Sequence, residues 1–321
     1  LPGQLTDVPG LLVGHATDVA GATGCTAILC PGGAVGGVEV RGWATGTLGL
    51  DLLDARHVAE RIHGVVLAGG SAFGLEAVFG VMAHLESRGI GFATPAGVVP
   101  LVAGAILYDL GTGDRAARPD RAMGARAAAA AAAGPVEEGS VGAGTGATVG
   151  KLFGRARAMK GGLGTASRRV GAVQVGALVA VNAFGDVRDP ATGALVAGAR
   201  GAPEGRALVD TARALREGAP PPAFRGTHTT IGVVATDARL TKAEAARLAG
   251  LAHLGLAAAL SPPHTTVDGD ALFALSTGDA VTVPLDPLGL AAADCVAEAV
   301  VRAVRAAASL GGVPAWRDLS G

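Results

Sequence analysis

The sequence predicts a layered α/β sandwich, and three observations carry that expectation. Half of the 321 residues are hydrophobic, enough for a large core, and one layered domain can use the whole length. Only 3% are aromatic, so Ala, Val and Leu must fill that core, and the 52 glycines point to tight turns and close backbone approach rather than disorder. Apolar runs such as GVVLAGG, VGAVQVGALVAVNAFGD and IGVVA read as buried strands, with helical stretches between them.

The elements follow in chain order. The opening LPGQLTDVPGLLVGHATD lacks the basic start and apolar centre of a secretory signal. Residues 11–50 read as short strands joined by glycine turns, and GCTAILC among them carries Cys25 and Cys30. With Cys295 these make an odd set without CxxC spacing, which predicts buried free thiols and a reducing cytoplasm rather than disulfides or zinc. Residues 54–63 look helical, stopping at Gly64. GVVLAGG is a strand, and SAFGLEAVFGVMAHLESRG a helix ending on Gly89 with Ser71 as its N-cap. Residues 90–110 alternate apolar runs with prolines, and residues 121–133 form an alanine helix closed by Gly134-Pro135.

Two glycine-rich stretches come next, GSVGAGTGATVGK and GGLGTAS, followed by the strand VGAVQVGALVAVNAFGD. Residues 200–225 are the most linker-like part of the chain. After the strand IGVVA, Thr241 and Glu244 make a capping box for a helix to about Leu260. SPPHTTVDGD is a loop, ALFALSTGD a strand, and the last helix ends near Leu310. Residues 288–310 contain Asp294, Glu298, Arg302 and Arg305, so this helix is amphipathic and not a membrane span. The net charge of -1 leaves no basic footprint for nucleic acid or an acidic membrane.

Several motifs approach familiar chemistry and fail it. GAGTGATVGK has three residues between Gly146 and Gly150, where a phosphate loop needs four, and Leu152 stands where it needs Ser or Thr. Gly142, Gly144 and Ala147 fit a loose dinucleotide pattern, but no acid lies about 20 positions on. GGSAFG places Gly74 one position too late for a nucleophile elbow. VDGD lacks the oxygen ligands of a calcium loop, and no histidine pair has metal-ligand spacing. No cofactor and no metal are expected. Four features stay open: Lys151 as a lone cation in a glycine turn, Asn182 at a strand end as turn residue or oxyanion donor, the single tyrosine Tyr108, and Asp268 with Asp270 as a turn or an ammonium holder.

The segment around the strand IGVVA, GTHTTIGVVATDARLT, resembles the self-cleavage segment of a peptidase family. That family is typified by the L-aminopeptidase D-esterase/amidase and includes β-peptidyl aminopeptidases and the 6-aminohexanoate-oligomer (nylon oligomer) hydrolase. GLLVGHATD, LAGGSAFGLEA, AILYDL, GAGTGATVGK, GGLGTAS, LVAVNAFGD and DGDALFALSTGD carry the resemblance over nearly the whole chain. It implies an αββα sandwich like that of N-terminal nucleophile hydrolases, with the connectivity of the aminopeptidase/ornithine acetyltransferase fold. It implies one domain, cut once into residues 1–228 and 229–321. It further implies Thr229 as nucleophile and base, cleavage after His228, Lys151 tuning the amine, Asn182 donating to the oxyanion, Tyr108 bonding developing charge, and Asp268 and Asp270 orienting the amine and hydroxyl.

By the same resemblance the protein is an amide hydrolase of small linear amides or peptides and a homo-oligomer, often a tetramer. Two departures stand out. His228 replaces the Asn or Gly that precedes the nucleophile in the relatives, and TPAGVVPLVAGAILY lacks the carboxylate by which the aminopeptidase branch grips a free amine. The second departure points towards the nylon-oligomer branch. The alternatives are an aminopeptidase needing a free amine, an acyltransferase like the ornithine acetyltransferases, or an uncleaved binding protein on this fold.

Overall fold

A computed structural model describes residues 3–220 and 228–319 of the chain. Residues 221–225 of the linker-like stretch lie outside the described part. Nine strands share one hydrogen-bonded network. They are β1 (Leu12–Asp18), β2 (Thr23–Val40), β3 (Thr47–Leu48), β4 (Arg61–Ala68), β5 (Val102–Ile106), β6 (Gly162–Val170), β7 (Val173–Asn182), β8 (Thr229–Thr236) and β9 (Ala271–Ser276). Their order is β6-β7-β8-β9-β2-β4-β5-β3, with β1 also paired to β2.

The long β2 is what makes two layers from one network. Its first half pairs with β4, its second half with β9, and the register slips between Leu29 and Ala34. Pro31 and the glycine pair Gly32-Gly33 occupy that break, where proline has no N–H to donate and Gly33 turns at φ +77°.

Side-chain alternation then sorts three cores. On β7, Leu178 and Ala180 face the middle with Ile28, Leu67 and Phe273, while Val175, Ala177, Val179 and Val181 face outward. That outward face is covered by α3 (Lys242–Ala259) and α4 (Leu285–Ala306). The opposite outer face, with Cys25, Ala27 and Val66, is covered by α1 (Glu76–Ser87) and α2 (Arg121–Ala129). Helices, sheet, sheet and helices therefore stack as an αββα sandwich. Small residues set the layer spacing: a Cβ on Gly37 would lie 2.2 Å from the Ala246 nitrogen of α3, and one on Gly164 2.0 Å from the Ala299 carbonyl of α4.

Several local expectations needed correction. Residues 54–63 are not a helix: Arg61–Ala68 is a strand, and its apolar residues alternate between two cores. Ser71 is not an N-cap; it sits at φ 55° inside a 3-10 turn that follows Gly70, and α1 starts at Glu76. The alanine helix is shorter than expected, Arg121–Ala129, capped by Asp120 accepting from Met123 N–H. The glycine-rich stretch GGLGTAS runs from Gly162 as the first part of strand β6. Within the linker-like stretch Thr211–Arg216 is helical, and Thr211 is tied to buried Asp186 through its N–H and hydroxyl. The capping box at Thr241 and Glu244 forms as expected, and all three cysteines are buried and free.

Candidate active site

Thr229 opens β8, and Asn182, the last residue of β7, stands directly opposite it. Residues opposite on antiparallel strands share a face. Ile231 and Val233 of β8 and Leu178 and Ala180 of β7 line the central core, so the period of two turns Thr229 and Asn182 to that inner side as well.

The segment ahead of β9 closes the site from the other flank. His228 forms a parallel bridge with Asp268, and Gly269 N–H donates to the His228 carbonyl oxygen at 2.8 Å. The Thr229 hydroxyl donates to the same oxygen at 2.5 Å. One carbonyl therefore receives a backbone N–H and the hydroxyl of the residue that follows it. Position 269 has no room for a side chain: a Cβ would lie 2.4 Å from the Ala44 carbonyl oxygen and 2.7 Å from the Thr229 hydroxyl.

Lys151 arrives from the glycine-rich turn. Gly150 N–H bonds the Gly185 carbonyl and Lys151 N–H the Phe184 carbonyl, each at 2.9 Å, which lays the turn against the end of β7. Lys151 Nζ then donates to the Asn182 side-chain oxygen at 2.7 Å and to its carbonyl at 3.0 Å. Thr148 N–H donates to the same side-chain oxygen at 3.0 Å. Donors on Oδ1 fix the amide orientation, so Asn182 Nδ2 faces the Tyr108 carbonyl and donates to it at 3.1 Å. Burial pushes the Lys151 ammonium down to about 7, with Asp268 opposing and Lys160 assisting.

The two acids anchor the turn that carries Gly269. Asp268 accepts from Phe184 N–H at 3.1 Å, from Thr265 N–H at 3.0 Å and from the Thr265 hydroxyl. Burial, then the charge of Asp270, raises the Asp268 carboxyl to about 6. Asp270 accepts from Thr230 N–H at 2.7 Å, His264 N–H at 3.2 Å and His264 Nδ1 at 2.9 Å. Among the described residues none of these bonds is to the Thr229 hydroxyl: Asp270 holds the N–H that follows Thr229, and Asp268 holds the N–H of Phe184, two residues past Asn182. His228 is buried with its ring tilted against Phe184, 5.3 Å between centroids. Burial and the nearby Lys151 push its imidazole down to about 2, so it is neutral.

The structure thus brings Thr229, His228, Lys151, Asn182, Asp268 and Asp270 into one buried group. Tyr108 joins through its carbonyl, with its side chain half-buried. Sequence reasoning missed the Gly269 N–H, His264, Thr265 and Thr148. It also missed a second buried pair beside the site. Lys160 donates to the Thr145 and Ala147 carbonyls at 2.6 and 2.8 Å, and Asp109 accepts from Gly70 N–H at 2.7 Å and the Thr23 hydroxyl at 2.8 Å. Burial pushes Lys160 down to about 7 against the pull of Asp109. Only the polar HTT run inside SPPHTTVDGD offered a signal for His264 and Thr265. Among the described residues no group of three or more acids, histidines or cysteines is arranged to hold a metal ion, and no helix is long and apolar enough to cross a membrane.

The fold is similar to that of the L-aminopeptidase D-Ala-esterase/amidase from Ochrobactrum anthropi, described as a variant of the Ntn hydrolase fold. That match has a TM-score of 0.75 and 26% identity, over 98% of this chain and 90% of the other. A Burkholderia sp. beta-aminopeptidase matches at a TM-score of 0.71 and 27% identity, over 100% and 94%. Sandwich and site together define an amide hydrolase on the N-terminal nucleophile hydrolase fold. The chain belongs to peptidase family S58, whose pattern matches residues 3–315. An uncharacterized aminopeptidase of Mycobacterium bovis is 43% identical over 98% of this chain and 97% of its own. A 6-aminohexanoate-oligomer endohydrolase of Kocuria sp. is 35% identical over 88% and 76%.

Proposed function

We propose that the chain cuts itself between His228 and Thr229 and then hydrolyses small linear amides with Thr229 as the nucleophile. The observation that carries this reading is the His228 carbonyl, which holds the Thr229 hydroxyl at 2.5 Å and the Gly269 N–H at 2.8 Å. An N–H aimed at a carbonyl oxygen stabilises the negative charge that develops when the carbon is attacked. The hydroxyl that would attack is already beside that group.

In self-cleavage Thr229 Oγ adds to the His228 carbonyl carbon. The C–N bond breaks, the nitrogen takes a proton, and the acyl group moves to oxygen as an ester. Water then hydrolyses the ester, leaving a His228 carboxylate and a free Thr229 amine and hydroxyl. Lys151, pushed down to about 7, is partly neutral near pH 7 and is a suitable acceptor for the hydroxyl proton. His228 is neutral and buried, so it is not the acid that delivers a proton.

In turnover the free Thr229 amine, with an ordinary pKa of about 7.7–8.0, takes the hydroxyl proton as base. The hydroxyl forms an acyl-enzyme with the substrate amide, and water releases it. Asn182 faces the nucleophile with its amide held by Lys151 and Tyr108, as an oxyanion donor would be.

The substrate reading favours amides that need no free N-terminal amine, such as 6-aminohexanoate oligomers. Residues 90–107 contain no acid. The carboxylate beside Tyr108, on Asp109, is buried and committed to Gly70 and Thr23. The second reading, an aminopeptidase, draws support from the name of the Mycobacterium bovis relative. Turnover of an N-acetylated amide at a rate comparable to its free-amine counterpart supports the first reading, and a strict requirement for the free amine supports the second. Assembly as a homo-tetramer and a cytoplasmic location, in keeping with three buried thiols, belong to the same proposal. Light scattering on the purified protein tests the assembly.

The deciding experiment is intact mass under denaturing conditions. Two species, one ending at His228 and one beginning at Thr229, are expected. A chain that stays whole and hydrolyses no amide rejects the proposal.

A further inference from the structure

Within the loop of residues 261–270 two neighbouring residues reach the two acids in nested order. His264 bonds Asp270 through its N–H and its ring, and Thr265 bonds Asp268 through its N–H and hydroxyl. Between the two acids lies Gly269, whose N–H meets the His228 carbonyl. The dipeptide therefore grips both ends of the three-residue turn that presents that N–H.

His264 is the more demanding half. Its backbone is at φ 51°, a region non-glycine residues seldom adopt and that tends to persist where surrounding contacts enforce it. Its ring is fixed on two sides. Nδ1 lies 2.9 Å from Asp270 Oδ2, and the ring meets the edge of His253 of α3 at 4.9 Å. A carboxylate only accepts, so Nδ1 carries the proton. His264 Nε2 is buried without a hydrogen-bond partner among the described residues, which an unprotonated nitrogen tolerates better than an N–H.

This pair sits behind the strand that carries Thr229. Leu272 and Ala274, at even steps from Asp270, pack on the α3 side, whereas Thr229 shares the inner side with Ile231. Asp270 therefore acts on the site through the backbone it holds: Thr230 N–H and its neighbour Gly269.

We infer that His264 is a positioning residue for self-cleavage and turnover, holding Asp270 so that Gly269 N–H and the start of β8 stay aligned on the reacting carbonyl. Thr265 does the same for Asp268. This inference rests on the proposed use of Thr229.

The test separates the donor from the backbone. His264→Gly accepts the positive φ but removes the ring donor. His264→Asn also tolerates that φ and places an amide N–H near the position of Nδ1. Self-cleavage of freshly synthesised chain and kcat and KM of the matured enzyme are measured for both. The expectation is that His264→Gly slows cleavage and kcat at least tenfold with KM within twofold, while His264→Asn stays within threefold of the parent. A His264→Gly chain as fast as the parent overturns the inference, as does a folded His264→Asn chain as slow as His264→Gly.

Should His264→Gly fail to fold, NMR of the unsubstituted, histidine-labelled protein supplies a second readout. A slowly exchanging, downfield Nδ1 proton that Asp270→Asn removes is expected, and its absence rejects the pair. That signal does not depend on catalysis. A parent chain that neither cleaves nor hydrolyses amides therefore defeats the proposed function, while the signal still reports on the His264–Asp270 pair.

Discussion

Asn182 and Thr229 face each other across β7 and β8, and the Asn182 side chain is held in one orientation by Lys151 on its oxygen and the Tyr108 carbonyl on its nitrogen. An amide with that many fixed partners needs no reorganisation when charge develops beside it. Asn182→Ala removes the donor and strips Lys151 and Thr148 of their shared acceptor. The expected outcome is a fall in kcat of about 100- to 1000-fold with the chain still folded. Steady-state kinetics on a chromogenic amide checks it, and a loss under tenfold would remove Asn182 from the chemistry.

The Thr229 hydroxyl donates to the carbonyl of its own N-terminal linkage, the bond that the proposed self-cleavage breaks. Thr229→Ala should leave one species at full mass and no amide hydrolysis. Thr229→Ser keeps the hydroxyl and should still give two species, since a serine hydroxyl can attack the same carbonyl with Lys151 taking its proton. Two species from Thr229→Ala would move the cut elsewhere.

Gly269 lies against both the Thr229 hydroxyl and the Ala44 carbonyl, which an added Cβ would approach to 2.7 and 2.4 Å. Gly269→Ala must therefore push the turn away from the His228 carbonyl. Displacement of a positioned group by about 1 Å can cost on the order of 100-fold in rate, so self-cleavage half-times should lengthen by about that factor. Time-resolved gels of freshly translated chain give the number, and an unchanged half-time would mean that the Gly269 N–H is not needed.

How much of this is legible in the sequence depends on the range of the interaction. Local signals read through directly: the Thr241 and Glu244 capping box, the continuous apolar runs of β7 and β8, and the buried thiols. The site residues are legible only together, because Lys151, Asn182 and Asp268 lie far apart in the chain and meet through strand order. Signals that depend on tertiary partners do not read through. GVVLAGG reads correctly as a strand, but its start at Arg61 does not, because residues 61–62 join it by pairing with β2, which nothing local announces. Ser71 has the chemistry of an N-cap, and the sequence does not reveal its positive φ. His264, Thr265, Lys160 and Asp109 do not read through, since the partners their side chains meet are set by loop and tertiary geometry and not by a spacing in the chain.

The pH dependence of stability follows from the two buried lysines. Lys151 and Lys160 are each pushed from 10.5 down to about 7. Between about 7 and 10.5 the unfolded chain therefore binds more protons at these sites than the folded one. Stability must rise with pH across that window, and the full cost of burying the two charges is felt below it. Asp268, raised from 3.8 to about 6, works the other way: its folded form keeps a proton the unfolded chain has lost, so it erodes stability as pH rises from 3.8 to 6 and adds no slope above that. The thiols, raised from 9.0 to about 12, start to oppose only above about 9. The clean window is about pH 7 to 8.5. There each lysine contributes up to roughly 1.4 kcal/mol per pH unit. In the uncut Thr229→Ala background, adding Lys151→Met should remove about one lysine's share of the slope. Urea unfolding at a series of pH values measures it by linear extrapolation. Equal slopes with and without Lys151 would mean that this lysine stays charged in the folded chain.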